Sequence, residues 1–126
     1  MTEWEIAAFF QQHQEALPLY ERLQQAISSQ IHPVQIRVQK TQISFYHRHL
    51  FACVSFARIR RKKDCPPVFL VLTLGLQRRL DSPRVEVATE PYPYRWTHHF
   101  LISDESEIDE ELMNWIREAA VLAELK

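Results

Sequence analysis

LFACVSFARI (Leu50–Ile59) and VFLVLTL (Val68–Leu74) decide how this 126-residue chain folds. Both runs are apolar at odd and even positions alike, which marks strands buried on two sides at the centre of a sheet. The segment between them, Arg58 to Pro67, is polar and basic and reads as an exposed loop joining the two central strands. On the N-terminal side, Val34, Ile36 and Val38 alternate with Gln35, Arg37 and Gln39, a half-buried strand. The apolar parity then switches to Ile43 and Phe45, so a bulge or tight turn at Lys40-Thr41 must absorb a one-residue slip. His47-Arg48-His49 reads as a hairpin turn. On the C-terminal side, Val85 and Val87 mark a short strand, and Trp96, His98, Phe100 and Ile102 alternate with Thr97, His99 and Leu101 in the last one.

Helical spacing appears only at the two ends. Thr2 and Glu5 have the spacing of a capping box, and Ile6, Phe9 and Phe10 would share a face of a short first helix. Pro18 would break one long helix but is tolerated in the first turn of a second, so a corner is expected near His13, followed by a helix from about Glu15 to Ser28. Ser106 with Asp109 would cap a final helix whose stripe is Ile108, Leu112, Trp115, Ala119 and Leu122. The expectation is a single α+β domain over residues 1–126. It has a mainly antiparallel sheet of about five strands (strand region 33–102), with N-terminal helices (3–29) and a C-terminal helix (106–124) packed on one face.

Composition narrows the function. Gly75 is the only glycine, which excludes a P-loop, a dinucleotide fingerprint and a nucleophile elbow, all of which need several glycines close together. No apolar run is long enough to span a membrane, and the first ten residues lack the positive charge of a secretory signal. Cys53 and Cys65, without a CxxC or a cysteine framework, read as reduced thiols; a cytoplasmic location is expected. Cys53 itself reads as a small buried hydrophobe. The six histidines do not suggest a metal site. His98 and His99 are neighbours on a strand and point to opposite faces, and no carboxylate or cysteine stands at ligand spacing from His47 and His49. No cofactor is expected.

Charge is segregated along the chain. Residues 1–36 carry net −3; residues 37–95 carry twelve bases against four acids, net +8; residues 96–126 carry net −6. Such a basic middle suggests an electrostatic face for partners. Arg58 to Lys63 reads as a solvated loop. Asp81-Ser82-Pro83 reads as a turn, and Ser82 has no base or oxyanion hole in view to make it a nucleophile. Lys40, Arg78, Arg79, Arg84 and Arg95 lie beside sheet-end turns, with Tyr92, Tyr94 and Trp96 nearby. Guanidinium forks beside aromatic faces suit phosphate, carboxylate or stacked bases.

Three separated motifs, Gln39-Lys40-Thr41-Gln42-Ile43-Ser44-Phe45, Leu74-Gly75-Leu76 through Arg79-Leu80-Asp81-Ser82-Pro83-Arg84, and Pro91-Tyr92-Pro93 through Arg95-Trp96-Thr97-His98-His99, resemble the bacterial family catalogued as domain of unknown function 5655. The resemblance runs from the Phe9-Phe10 helix to the Trp115 helix. It implies a small intracellular module without an established activity, and it draws attention to Lys40, Arg79, Asp81, Ser82, Arg84, Arg95, Trp96, His98 and His99 as its motif positions.

The first functional reading is a non-enzymatic module that holds an anionic ligand (a nucleotide, a nucleic-acid strand or a carboxylated metabolite) at a basic, aromatic-edged site. Lys40, Arg79, Arg84 and Arg95 would supply charge, Trp96 or Tyr94 a stacking face, and His98 or His99 a neutral hydrogen bond. A second is an interaction module whose basic face meets an acidic protein. A third is an enzyme with His98 or Asp81 as acid–base catalyst beside Lys40 or Arg79. The first reading carries a geometric expectation: Arg79, Asp81, Arg84 and Arg95 gather in one small region, with Asp81 paired to a guanidinium.

Overall fold

In a computed structural model, which describes residues 3–125, the two doubly apolar runs lie side by side at the middle of an antiparallel sheet. There are six strands against the five or so expected: β1 (Gln35–Val38), β2 (Gln42–His47), β3 (His49–Ser55), β4 (Leu70–Leu76), β5 (Val87–Tyr92) and β6 (Arg95–Ile102). Their order is β1-β2-β3-β4-β6-β5. The parity switch after Val38 is a tight hairpin: Val38 pairs with Ile43, and the Gln39 N–H donates to the Gln42 carbonyl. At the next turn Arg48 takes a positive φ of 69°, and a register shift after Phe45 makes room for Phe51.

Strand alternation gives the sheet two unlike faces. One face carries Ile43, Phe45, Ala52, Val54, Leu70, Leu72, Leu74, Leu76, His98, Phe100 and Ile102, all buried beneath helices. The α1 helix (Glu3–Phe9) contributes Ile6 to this core, and Phe10 follows it. The corner falls near His13, whose ring stacks on Phe56 at 3.9 Å. After a 3₁₀ turn, α2 (Leu17–Gln30) begins with Pro18 in its first turn and buries Leu19, Tyr20, Leu23, Ala26 and Ile27. The expected capping box begins at Thr2, outside the described residues.

The last helix corrects two details. Asp104, not Ser106, caps a 3₁₀ turn over Glu105–Glu107, and Asp109 alone caps α3 (Glu110–Glu124) by accepting from the Leu112 N–H at 3.0 Å. Its buried residues are Leu112, Met113, Ile116, Ala119, Ala120 and Ala123, so the inward face is rotated from the expected stripe and Trp115 lies at its margin. Trp115 still meets the sheet, stacked on Phe100 with ring centroids 5.5 Å apart. Among the described residues no helix is long and apolar enough to cross a membrane.

Among the described residues, no α-helix packs on the opposite face of the sheet. Across its middle, register places Arg37, Ser44, Cys53, Thr73 and His99 in one row. In the next row along the strands on this face, Val71 and Leu101 are buried although they lie outside the helix-covered core. There the basic loop folds back, and Arg60 pairs with Glu86 beside Leu101.

Candidate functional site

Part of the basic middle of the chain is tied to the acidic C-terminal segment. Arg84 Nη1 donates to Asp109 (2.8 Å) and Glu111 (3.0 Å), its Nη2 donates to the Glu107 carbonyl (2.6 Å), and the guanidinium lies over the Trp115 ring. Arg78 grips Glu118 with two parallel bonds, 3.1 and 2.9 Å. At the far end of α3, His49 Nδ1 lies 2.9 Å from the Ala123 carbonyl and His47 Nε2 lies 3.3 Å from Glu124. The charge segregation seen in the sequence is therefore in part an internal docking pattern, with α3 tied at its start, middle and end.

The expected gathering of Arg79, Asp81, Arg84 and Arg95 does not form. The chain from Leu76 to Val87 runs along the helix-covered side, from the sheet end where β4 stops to the end where β5 starts. Arg79, Asp81 and Ser82 share a crevice of about 270 Å³ there with Glu86 and Ala88, and Arg79 extends over the Trp96 ring at 5.8 Å. Ser82 serves the turn, its Oγ accepting from the Arg84 N–H at 3.2 Å. Asp81 is exposed and has no ion pair among the described residues, so it does not neutralise the arginines. Arg84 turns away to α3, and Arg95, an odd-numbered residue of β6, lies on the opposite face. Lys40 is exposed in the β1–β2 turn, at the other end of the sheet from Arg95.

The adjacent histidines separate as strand geometry requires. His98 is fully buried on the helix side, and its Nε2 accepts the Leu80 N–H at 3.0 Å. Its proton therefore sits on Nδ1, which is buried without a partner. Burial pushes its pKa below the usual histidine value, which keeps the ring neutral. It anchors the Leu80 turn and meets no solvent. His99, on the open face, has Nδ1 2.9 Å from Thr73 Oγ1, and burial lowers its pKa as well. Across Thr73 from His99 is Cys53. Burial pushes this thiol up, with a Thr73 hydrogen bond opposing in part, so it is held as the unreactive thiol.

A further concavity lies away from most of the residues the sequence singled out. The β3–β4 ladder stops at Ala52–Leu74, and beyond that pair the strands diverge. His49 to Phe51 on one side and Gly75 to Gln77 on the other line a groove of about 650 Å³ between them. Its open-face side carries Cys53, Thr73, Thr97 and Arg95; its inner side carries Leu76, Ala119, Leu122 and Ala123. Gly75 is exposed in this groove, and a Cβ built on it would meet nothing within 4 Å. Arg95 is the one residue of the expected site that lines the groove. Its guanidinium lies 5.7 Å from the centre of the Tyr92 ring, with no carboxylate partner among the described residues. The sequence signal that was available is Gly75 itself: a lone glycine inside an apolar strand pattern marks a close approach by a ligand or another backbone. Among the described residues no three metal-ligating side chains cluster.

Fold and groove together define a small α+β domain with one sheet face under helices and a partly divided sheet open on the other. The family model described as domain of unknown function (DUF5655) matches residues 6–121, and the chain belongs to that family. Neither a curated protein nor a solved structure matches it.

Proposed function

We propose that the domain is a non-enzymatic module that binds an organic anion in the groove between β3 and β4. The observation that carries this reading is Arg95, a guanidinium free of carboxylates at the edge of a groove that also offers the Thr73 and Thr97 hydroxyls. Its volume is within the range of small-molecule sites, and apolar walls with a few polar groups are the usual equipment of one. A carboxylate on an apolar body fits better than a bare phosphate, because among the described residues one unpaired cation, Arg95, lines the groove while its inner wall is aliphatic. Catalysis has less to support it. His98 is sealed in the core, Asp81 is on the other side of the sheet, and Cys53 is held protonated.

The test is titration of the ¹⁵N-labelled protein with glutarate, hexanoate and nucleoside monophosphates. Carboxylates are expected to shift the Gly75 and Thr97 amide signals, and Arg95→Gln to abolish the shifts while leaving the rest of the spectrum in place. Shifts confined to Arg79–Ser82, or unaffected by Arg95→Gln, would overturn the reading.

A further inference from the structure

The groove is bounded by backbone as much as by side chains. Beyond Ala52–Leu74 the ladder between β3 and β4 is not formed, so His49–Phe51 of β3 faces Gly75–Leu76 of β4 and the Gln77 that follows, two short edges inside the sheet. Such edges present main-chain donors and acceptors to whatever lies between them. Each edge is three residues long, about 10 Å of strand. The two sides of the groove also differ in chemistry, because they belong to the two faces of the sheet. On the open side are Arg95, Thr73 and Thr97; on the helix side are Leu76, Leu122 and Ala119. At the mouth, Leu50 and Leu125 are 42% and 77% exposed, an apolar entrance beside the unpaired guanidinium.

A strand sends successive side chains to opposite faces. From this geometry we infer that the occupant of the groove is an extended peptide segment alternating apolar and acidic residues, added as a short strand between β3 and β4. Its main chain bonds to the facing edges, its apolar side chains enter the pocket under α3, and a carboxylate on the other face meets Arg95. Gly75 puts no side chain into the open-face half of the groove, so that half is left free for the side chains of an occupant. This inference rests on the organic-anion reading and narrows it to a protein partner with a stated pattern.

The experiment uses the full chain and a pool of acetylated, amidated hexapeptides that alternate glutamate with valine, isoleucine or leucine. Controls are a pool of the same composition with the glutamates grouped at one end, and the alternating pool with alternate amides N-methylated. Binding is read by fluorescence anisotropy and by amide shifts. The alternating pool is expected to bind at least about tenfold more tightly than either control, since both lose the period-2 match or the main-chain donors. Gly75→Val, whose side chain enters open space, is expected to remove binding without altering the unfolding midpoint by more than a few degrees; Arg95→Gln is expected to weaken it about tenfold through loss of a charge-assisted bond. If glutarate shifts Gly75 and Thr97 but the alternating pool binds no better than the grouped one, the peptide inference is overturned and the organic-anion reading stands. If neither glutarate nor any pool perturbs the groove, both fall. Tighter binding by an eight-nucleotide single-stranded DNA than by the alternating pool also overturns the peptide inference.

Discussion

Arg84 and Arg95 are eleven residues apart, and their surroundings separate the two faces of the sheet. Arg84, on the helix side, has two carboxylates, a carbonyl and an indole around its guanidinium. Arg95, on the open side, has the Tyr92 ring and no carboxylate partner among the described residues, and lines a groove. The same residue type thus does opposite things: one arginine is consumed in holding α3 against the sheet, the other is left available. Hydrogen-bond satisfaction, more than charge, tells them apart. A guanidinium whose donors are already met by acceptors of its own chain has little left for a ligand.

The comparison predicts that substitutions on the helix side cost stability and those on the open side do not. The largest effect is expected for Trp115→Ala, which removes the ring between Phe100 and Arg84 and should cost about 3 kcal/mol in urea denaturation. A cost below about 1 kcal/mol would mean that α3 does not depend on this stack. Next is His98→Leu. The Leu80 N–H would lose its acceptor in a buried setting, at about 2 kcal/mol. This histidine also sets a pH dependence. Its folded-state pKa lies below its unfolded value, so the unfolded chain takes up the proton first as pH falls. The stability is fully present above about pH 6.5, the ordinary histidine value, and declines below it. His99 acts in the same sense. His98→Leu should therefore flatten the stability profile between about pH 7 and 5; an unchanged slope would assign the proton uptake elsewhere.

Arg84→Gln should cost about 1 kcal/mol, because the pairs are partly exposed and solvent screens them. It should also change the acid limb. Arg84 beside Asp109, together with the Leu112 N–H, holds that carboxyl below the usual aspartate range. A depressed carboxylate stabilises the fold above its unfolded pKa and loses that contribution as pH falls through the folded value, in the strongly acidic range. With glutamine at 84, this part of the acid transition should move to higher pH.

These contrasts show what the chain made legible and what it did not. The alternation of Trp96, His98 and Phe100 against Thr97, His99 and Leu101 is local and fixes two faces by geometry alone, as do the doubly apolar central strands and the hairpin at Lys40-Thr41. Arg84 was misread because its acceptors, Asp109 and Glu111, stand twenty-five and twenty-seven residues away, and only packing of α3 decides which arginine meets them. The rotation of α3 likewise follows from fitting Ala119, Ala120 and Ala123 close to the sheet, a preference that a leucine-and-tryptophan stripe conceals. The groove was invisible for a related reason. Apart from the lone Gly75, nothing in LFACVSF or VLTLGL announces that the two strands pair for part of their length and then part.

Gly75 gives the smallest effect and the sharpest contrast with the helix side. A glycine inside a strand ordinarily loses more conformational entropy on folding than alanine would, which costs stability unless the site forbids a Cβ. Here nothing forbids it: φ is not positive, and an added methyl would touch no atom within 4 Å. Gly75→Ala is therefore expected to stabilise the domain slightly, by about 0.5 kcal/mol, through restriction of the unfolded chain. The same methyl would project from β4 into the open-face half of the groove, where an occupant's side chains would lie, so it should weaken binding of the alternating peptide pool while the fold gains. Measuring unfolding free energy and peptide affinity on this one variant separates the two roles. A gain in stability with a loss of affinity assigns the bare backbone at position 75 to the groove. Loss of stability would instead place Gly75 in service of the sheet, and the open face would then be no less committed to the fold than the face under the helices.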